Sequence, residues 1–343
     1  LSGLVCQRSM PEELAIFVAR ELTAKAKAYL QTGLRGKAER LAESTLSCYQ
    51  LTETRHALAK AKTTDTRVYI PGGRFLVGTV VIIVPDLLVE CAKQNSDASW
   101  CQSLNILSET VRRAVRLSGF FISRSETTVD EFRSCVESGG CSQEHFDVGM
   151  SCTYRSSGAE DLPMTCVNWE GAREYCESMG GRLPTEAEWE VAAAGAGGRM
   201  YPWGVEEPDA TRVNYADISA GREGTAFPYD RSQDDKNPRS AKVRSFEAGA
   251  TPTGIFDLAG NVAEWTANWF SSEPVPAQSA LAKPPLDPKG PCGGASICHG
   301  YTERSVRGGS FKSLPIEVRT RARKGASPEE AQTWLGFRCA WDG

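Results

Sequence analysis

Twelve cysteines in 343 residues constrain this chain more than any other feature. The count is even, and several lie close together: Cys135 with Cys141, Cys292 with Cys298, and Cys91 with Cys101 each bracket a short loop. None of these spacings is the Cys-x-x-Cys of a zinc knuckle. The three histidines (His56, His145, His299) are scattered, so a thiolate–imidazole metal cluster has no framework. Thiols paired in an oxidising compartment account for the pattern better. Proximity in sequence predicts Cys135–Cys141, Cys152–Cys166, Cys292–Cys298, Cys91–Cys101 and Cys6–Cys48. The expected location is therefore extracytoplasmic: periplasmic, cell-surface or secreted.

With 41% hydrophobic residues the chain can build a full core. Its 39 basic and 43 acidic residues give a net charge of -4, which offers no attraction to nucleic acid or to an anionic membrane. The longest apolar run, Phe75 to Val84, stops at Pro85-Asp86 and is too short to cross a bilayer, so no transmembrane segment is expected. Its β-branched residues favour a buried strand. Leu1 to Cys6 reads as the remnant of a leader or the start of a processed chain. Gly3-Leu4-Val5 is a poor lipoprotein signature, because a small residue should precede the cysteine.

Two regions follow from texture. Residues 1–64 read as a helical hairpin appendage, broken in the middle by Gly33 and Gly36; residues 65–343 read as the main domain, with an insertion at about 80–116. A single hairpin cannot bury itself, so the appendage is expected to pack on the domain or on a partner. Arg67 to Thr79 is strand, glycine turn, strand; an amphipathic helix is expected near Leu104 to Val115, and Phe120 to Ile122 is a strand. Thr128 with Glu131, and Thr185 with Glu188, are capping boxes that open helices through Cys135 and to about Ala194. A third helix runs from Asn168 to Met179 and stops at Gly180-Gly181. From Gly195 onward Gly, Pro, Asn and Asp punctuate the chain, so something other than regular ladders must fix long loops.

Eight segments in order resemble one family. They are Ile70 to Gly78, Ser125 to Thr128, Val167-Asn-Trp169, Gly181 to Glu190, Tyr201-Pro-Trp-Gly204, Gly254-Ile-Phe-Asp-Leu-Ala-Gly-Asn-Val-Ala-Glu-Trp265, Arg307-Gly-Gly-Ser310 and Gly336-Phe-Arg-Cys339. Together they are similar to the formylglycine-generating enzyme, or sulfatase-modifying factor, domain. The resemblance implies an α+β fold, a loop-rich variant of the C-type lectin architecture with little regular secondary structure. It also implies a disulfide between Cys176 and Cys339, and two structural calcium sites. One would use Asp257 and Glu264 side chains with the carbonyls of Gly260 and Val262. The other would use Asn214 and Asp235 side chains with the carbonyls of Tyr215 and Asn237, where Asn237 replaces the usual aromatic. Carboxylates mixed with loop carbonyls are the ligand set a hard cation prefers.

Active members of that family oxidise a substrate cysteine with molecular oxygen and a copper ion held by two cysteines, three and eight residues beyond the serine of Arg-Gly-Gly-Ser. Here those positions are Ser313 and Val318, and the asparagine usual five residues before the final cysteine is Trp334. Serine is a poor ligand for copper(I) and valine is none, so copper is not expected. The sulfur-oxidising branch of the family needs an iron bound by histidines of an added helical domain, for which the N-terminal segment offers only His56. Ser313, Glu317 and His299 have nothing to order them as a hydrolytic triad.

The sequence thus points to a catalytically silent binding or assembly module. Its groove is expected at Ser310, Lys312, Ser313, Glu317, Arg319, Arg321 and Trp334, with Arg319, Arg321 and Arg323 alternating along one strand face. A protein or peptide partner is expected, with a glycan as a further candidate and nucleic acid excluded. The alternatives are a copper-dependent oxidoreductase acting on a sulfatase cysteine, and a variable ligand-display protein.

Overall fold

The computed structural model describes residues 28–29, 66–79, 89, 91, 109, 112–149, 151–222, 227–272 and 283–343. The helical appendage, most of the insertion, and Cys6, Cys48 and Cys101 lie outside the described residues.

Both capping boxes start helices. The Thr128 hydroxyl accepts from the Glu131 N–H, and the Glu131 carboxylate accepts from the Thr128 N–H, opening α1 (Val129–Glu137). Asn168 caps α2 (Trp169–Ser178) through the Gly171 N–H. Thr185 and Glu188 repeat the reciprocal pair at α3 (Glu186–Ala194), which Gly195 ends with a φ of 63°. A short helix, α4, spans Ile218–Arg222.

Nine strands form three sheets. Strands β1 (Arg67–Ile70), β4 (Phe120–Ser123) and β9 (Ala340–Asp342) make one, in the order β1-β4-β9. Strands β2 (Gly73–Val77) and β3 (Arg113–Leu117) make a second. The third has the order β7-β6-β5-β8, from β5 (Ala263–Trp269), β6 (Arg304–Arg307), β7 (Arg323–Ala326) and β8 (Leu335–Gly336). The strands on either side of Pro71-Gly72 thus part into different sheets. Gly72 has no space for a side chain there, because a Cβ would meet the Gly119 nitrogen at 2.7 Å.

The helix expected near Leu104 to Val115 does not include its last three residues. Arg113 to Val115 belong to β3, where Val115 lies opposite Phe75 and Leu117 opposite Gly73. Val115 and Leu117 are buried while Arg116 is exposed, a period of two. Across five residues the same pattern fits half a helical face, and pairing with the buried Phe75 and Val77 decides it.

Four disulfides tie the loops: Cys135–Cys141, Cys152–Cys166, Cys176–Cys339 and Cys292–Cys298. Cys91 is also disulfide-bonded. The Cys176–Cys339 bridge joins α2 to the segment before β9, inside a core that gathers Phe132, Tyr175, Trp265 and Phe337. A second core lies between α3 and the first two sheets, around Trp189, Ile122 and Phe120. A third, with Tyr201, Val213, Tyr215, Ala259 and Val318, backs the loop that follows β6. No helix among the described residues is long and apolar enough to cross a membrane.

Candidate functional site

The turn after β6 builds the site. Gly308 and Gly309 both have positive φ, at 91° and 69°. The Phe311 N–H donates to the Asn261 carbonyl at 2.9 Å and the Gly260 N–H to the Gly308 carbonyl at 2.9 Å, so this turn is bonded to the Gly254–Trp265 loop. Ser310 and Ser313 bond reciprocally: the Ser310 N–H donates to Ser313 Oγ at 3.1 Å, and the Ser313 N–H to the Ser310 carbonyl at 2.9 Å. A 3-10 turn over Pro315–Val318 follows, where the Glu317 carboxylate accepts the Leu314 N–H at 2.9 Å.

This turn, β6, β7 and Trp334 enclose a pocket of about 440 Å³. Ser310, Lys312, Ser313, Glu317, Arg319 and Trp334 all line it, with Val306 and Ile316 supplying apolar wall. Arg321 does not; its guanidinium donates to the Gly198 carbonyl at 2.9 Å, beside a small neighbouring cavity. A Cβ on Gly309 would lie 3.0 Å from Val318 Cγ1 and 3.2 Å from Ser313 Oγ, so those two side chains flank the same glycine.

The three arginines do not share a strand face. Only Arg323 lies in β7; Arg319 follows the 3-10 turn and Arg321 sits in the turn after it. Their partners replace solvent. Arg319 makes a bidentate, buried pair with Glu109, at 2.9 and 3.0 Å. Arg323 pairs with Glu186 at 2.6 and 2.7 Å. Arg307, the site's unforeseen cation, reaches Glu190 at 2.7 Å. Burial alone would push the Glu186 carboxyl up, but Arg323 and Arg307 override it and hold it at about 2. Burial keeps Glu109 above the usual carboxylate range even with Arg319 beside it.

Two lysines at the pocket differ. Lys312 is half-buried, its ammonium donating to Thr333 Oγ1 at 3.3 Å, and burial together with nearby Arg239 pulls its pKa down. The Lys324 ammonium lies 4.8 Å from the centre of the Trp334 ring. Neither makes an ion pair among the described residues. Burial raises the Glu317 pKa, although the Leu314 N–H opposes it.

The loop residues expected to hold cations divide into two groups. Glu264 is fully buried and both its oxygens are engaged, one by Arg338 and the other by Arg338 and the Trp189 indole N–H, at 2.7 to 2.8 Å. Asp257 accepts from the Arg244 N–H at 2.7 Å and has a pKa raised to about 6, first by burial and further by Glu264. Glu126, a third buried carboxylate that sequence reasoning missed, accepts from Val262 N–H at 3.0 Å and Asn261 Nδ2 at 2.6 Å. Burial, Asp257 and Glu264 raise its pKa well above the ordinary value. Burial alone would lower the Arg338 guanidinium, yet Glu264 lifts it above the usual arginine value. Around Asn214 the geometry is different. Asn214 Oδ1 and Asp235 Oδ2 are buried and have no hydrogen-bond partner. Burial raises Asp235 to about 7. Asn237 donates its N–H to the other Asp235 oxygen at 2.7 Å, and Tyr215 donates its hydroxyl to Asp230 at 2.8 Å. No group of three His, Cys, Asp or Glu side chains among the described residues is arranged to hold a metal.

Comparison with known proteins adds four findings. The sulfatase-modifying factor enzyme 1-like domain family matches residues 53–343. The formylglycine-generating enzyme of Streptomyces coelicolor is 37% identical over 190 residues, covering 54% of this chain and 54% of that protein. The inactive C-alpha-formylglycine-generating enzyme 2 of Mus musculus is 32% identical over 186 residues, covering 52% of this chain and 49% of that protein. The chain therefore spans about half the length of these two relatives. Among solved structures, PvdO from Pseudomonas aeruginosa shares the fold, with a TM-score of 0.56 at 21% identity over 81% of this chain and 94% of that one. The α+β, loop-rich architecture, shared with PvdO, is the one the eight segments implied.

Proposed function

The chain belongs to the sulfatase-modifying factor enzyme 1-like family, and from that premise we propose that it is a catalytically silent member whose pocket binds a partner in an extracytoplasmic assembly. One observation carries the reading: Ser313 and Val318, at the positions where the resemblance puts two copper-binding thiolates, flank Gly309 beside the pocket. Copper(I) prefers soft thiolates, and neither a hydroxyl nor an isopropyl group offers one. None of the described cysteines is free to supply one. Four disulfides favour an oxidising compartment outside the cytoplasm. Ser313 bonds to Ser310 and Val318 packs in the core behind the turn, so both support the frame without being thiolates, and the fold can persist without the reaction.

Calcium is the structural cofactor we propose, and the Asn214 region fits it best. Two buried oxygens without partners, one amide and one carboxylate, are a costly arrangement unless a cation completes them. The carbonyls of Tyr215 and Asn237 would add to that set. The Asp257–Glu264 region fits in charge, because Glu126, Asp257 and Glu264 outnumber Arg338. There Asp257 and the carbonyls of Gly260 and Val262 would hold the ion, with Glu264 shared with Arg338. The ion would supply fixed positive charge to the loops that carry the pocket.

The test combines copper(I), oxygen and a cysteine-containing sulfatase peptide with the purified protein. The reading expects no oxygen consumption and no aldehyde in the peptide. Turnover would replace it with a copper-dependent oxidoreductase.

A further inference from the structure

We propose that the pocket is selective for an acidic peptide segment, with a ligand carboxylate held between Lys312 and Lys324 and a neighbouring apolar side chain laid on Trp334; this rests on the binding-module reading above. The argument is one of charge that remains after internal pairing. Five cationic side chains line the pocket, but three have carboxylate partners: Arg319 has Glu109, Arg323 has Glu186, and Arg307 has Glu190. Lys312 and Lys324 have none among the described residues, and they are the two that approach the Trp334 segment, one through Thr333 and one over the indole ring.

Two other carboxylates touch the pocket, and neither forms an ion pair with the lysines among the described residues. Glu317 accepts the Leu314 N–H; burial raises its pKa, while that bond, Lys324 and Arg319 oppose the rise. Glu303 packs against Gly325, where a Cβ would meet its Oε2 at 2.5 Å and the Phe270 ring at 2.6 Å. Behind the arginines, Arg307 Nε and Arg321 Nε are buried with no acceptor. Two lysines thus face the pocket without an ion-pair partner among the described residues, on a chain whose net charge is -4. Such lysines attract a ligand carboxylate locally, and the negative net charge of the chain does not assist them.

A peptide suits the site better than a charged glycan. Strand β7 is the edge of its sheet among the described residues, and Lys324 and Gly325 of that strand line the pocket. An extended segment can run along such an edge with main-chain hydrogen bonds, while side chains enter the adjoining pocket. Trp334, Ile316 and Val306 offer the apolar surface that a peptide side chain uses.

Fluorescence anisotropy tests this with four labelled probes: a short Glu-Leu peptide, its Gln-Leu and Lys-Leu counterparts, and an oligoglucuronate. The Glu-Leu peptide should bind about tenfold more tightly than the Gln-Leu peptide, and weaken as ionic strength rises. Lys312→Met and Lys324→Met should each cost about tenfold, with Lys312→Arg restoring most of the loss, whereas Lys289→Met on the exposed surface should change nothing. Melting curves on each variant separate lost binding from lost fold. Equal binding of the Glu and Gln peptides, binding indifferent to both lysine variants, or preference for the oligoglucuronate would each overturn the proposal while leaving a binding module. Binding of no probe also overturns it. Oxygen consumption on a cysteine peptide would instead overturn the reading on which it rests.

Discussion

Replacing both Cys176 and Cys339 with alanine should destabilise the domain more than removing any other described bridge. The two cysteines are 163 residues apart, whereas Cys135 and Cys141 are six apart and Cys152 and Cys166 are 14 apart. Loop-closure entropy scales with the logarithm of that separation. It gives about 5 kcal/mol for the long loop, about 3 for the intermediate one and about 2 for the short one. The long bridge is also the most buried, at 0% and 1% exposure, so alanine leaves a small cavity that adds to the loss. A typical domain has only about 5 to 15 kcal/mol in total, so the variant should lose about a third or more of its stability. Urea unfolding followed by tryptophan fluorescence reads this directly, with the slope of each transition checking that the denatured states are comparable. The reasoning fails if the Cys176/Cys339 variant loses no more than the Cys135/Cys141 variant. That would mean that the bridge decorates an already sufficient core rather than restricting the unfolded chain.

Gly309→Ala should cost about 2 kcal/mol or more, because a φ of 69° disfavours any side chain and its Cβ would meet the Glu317 carbonyl at 2.9 Å; thermal unfolding measures it, and an unchanged melting temperature contradicts the packing around Ser313 and Val318. In calcium-free buffer, stability should fall as pH rises from about 4 to about 6. In that window Asp257, raised from 3.8 to about 6, keeps its proton in the folded state while the unfolded state has lost it. Asp257→Asn should flatten that part of the stability profile, and an unaltered slope would remove Asp257 as its source. Calcium at about a hundred times its dissociation constant should add about 2.7 kcal/mol of stability. Asp235→Asn should reduce that gain, and a melting temperature indifferent to calcium would exclude both loop sites.

The local features were legible in the sequence because their physics is local. Thr128 with Glu131 and Thr185 with Glu188 are capping boxes at a fixed spacing, and they open helices as written. Five residues such as Arg113 to Leu117 are too few to separate a helical face from a strand, and the partner that decides the matter, β2, comes 40 positions earlier, at Gly73–Val77. The charged interior was less legible still. Arg319 finds Glu109 across 210 positions, Arg323 finds Glu186 across 137, and Arg338 finds Glu264 across 74. No periodicity marks such pairs, so Arg319 and Arg323 read as parts of one strand face along the groove when they are internal counterions. Glu126 and Arg307 carried only the resemblance as a signal, in Ser125 to Thr128 and in Arg307 to Ser310. Six of the seven groove residues expected from that resemblance line one cavity.

The central claim is that two side chains, Ser313 and Val318, separate this chain from copper chemistry while the surrounding frame is intact. Competition for copper(I) against a chromophoric chelator tests it most directly, comparing the native chain with the double variant Ser313→Cys/Val318→Cys. Because both positions flank Gly309, the double variant should take up one equivalent of copper(I) and the native chain none. One tightly held equivalent in the native chain would contradict the account.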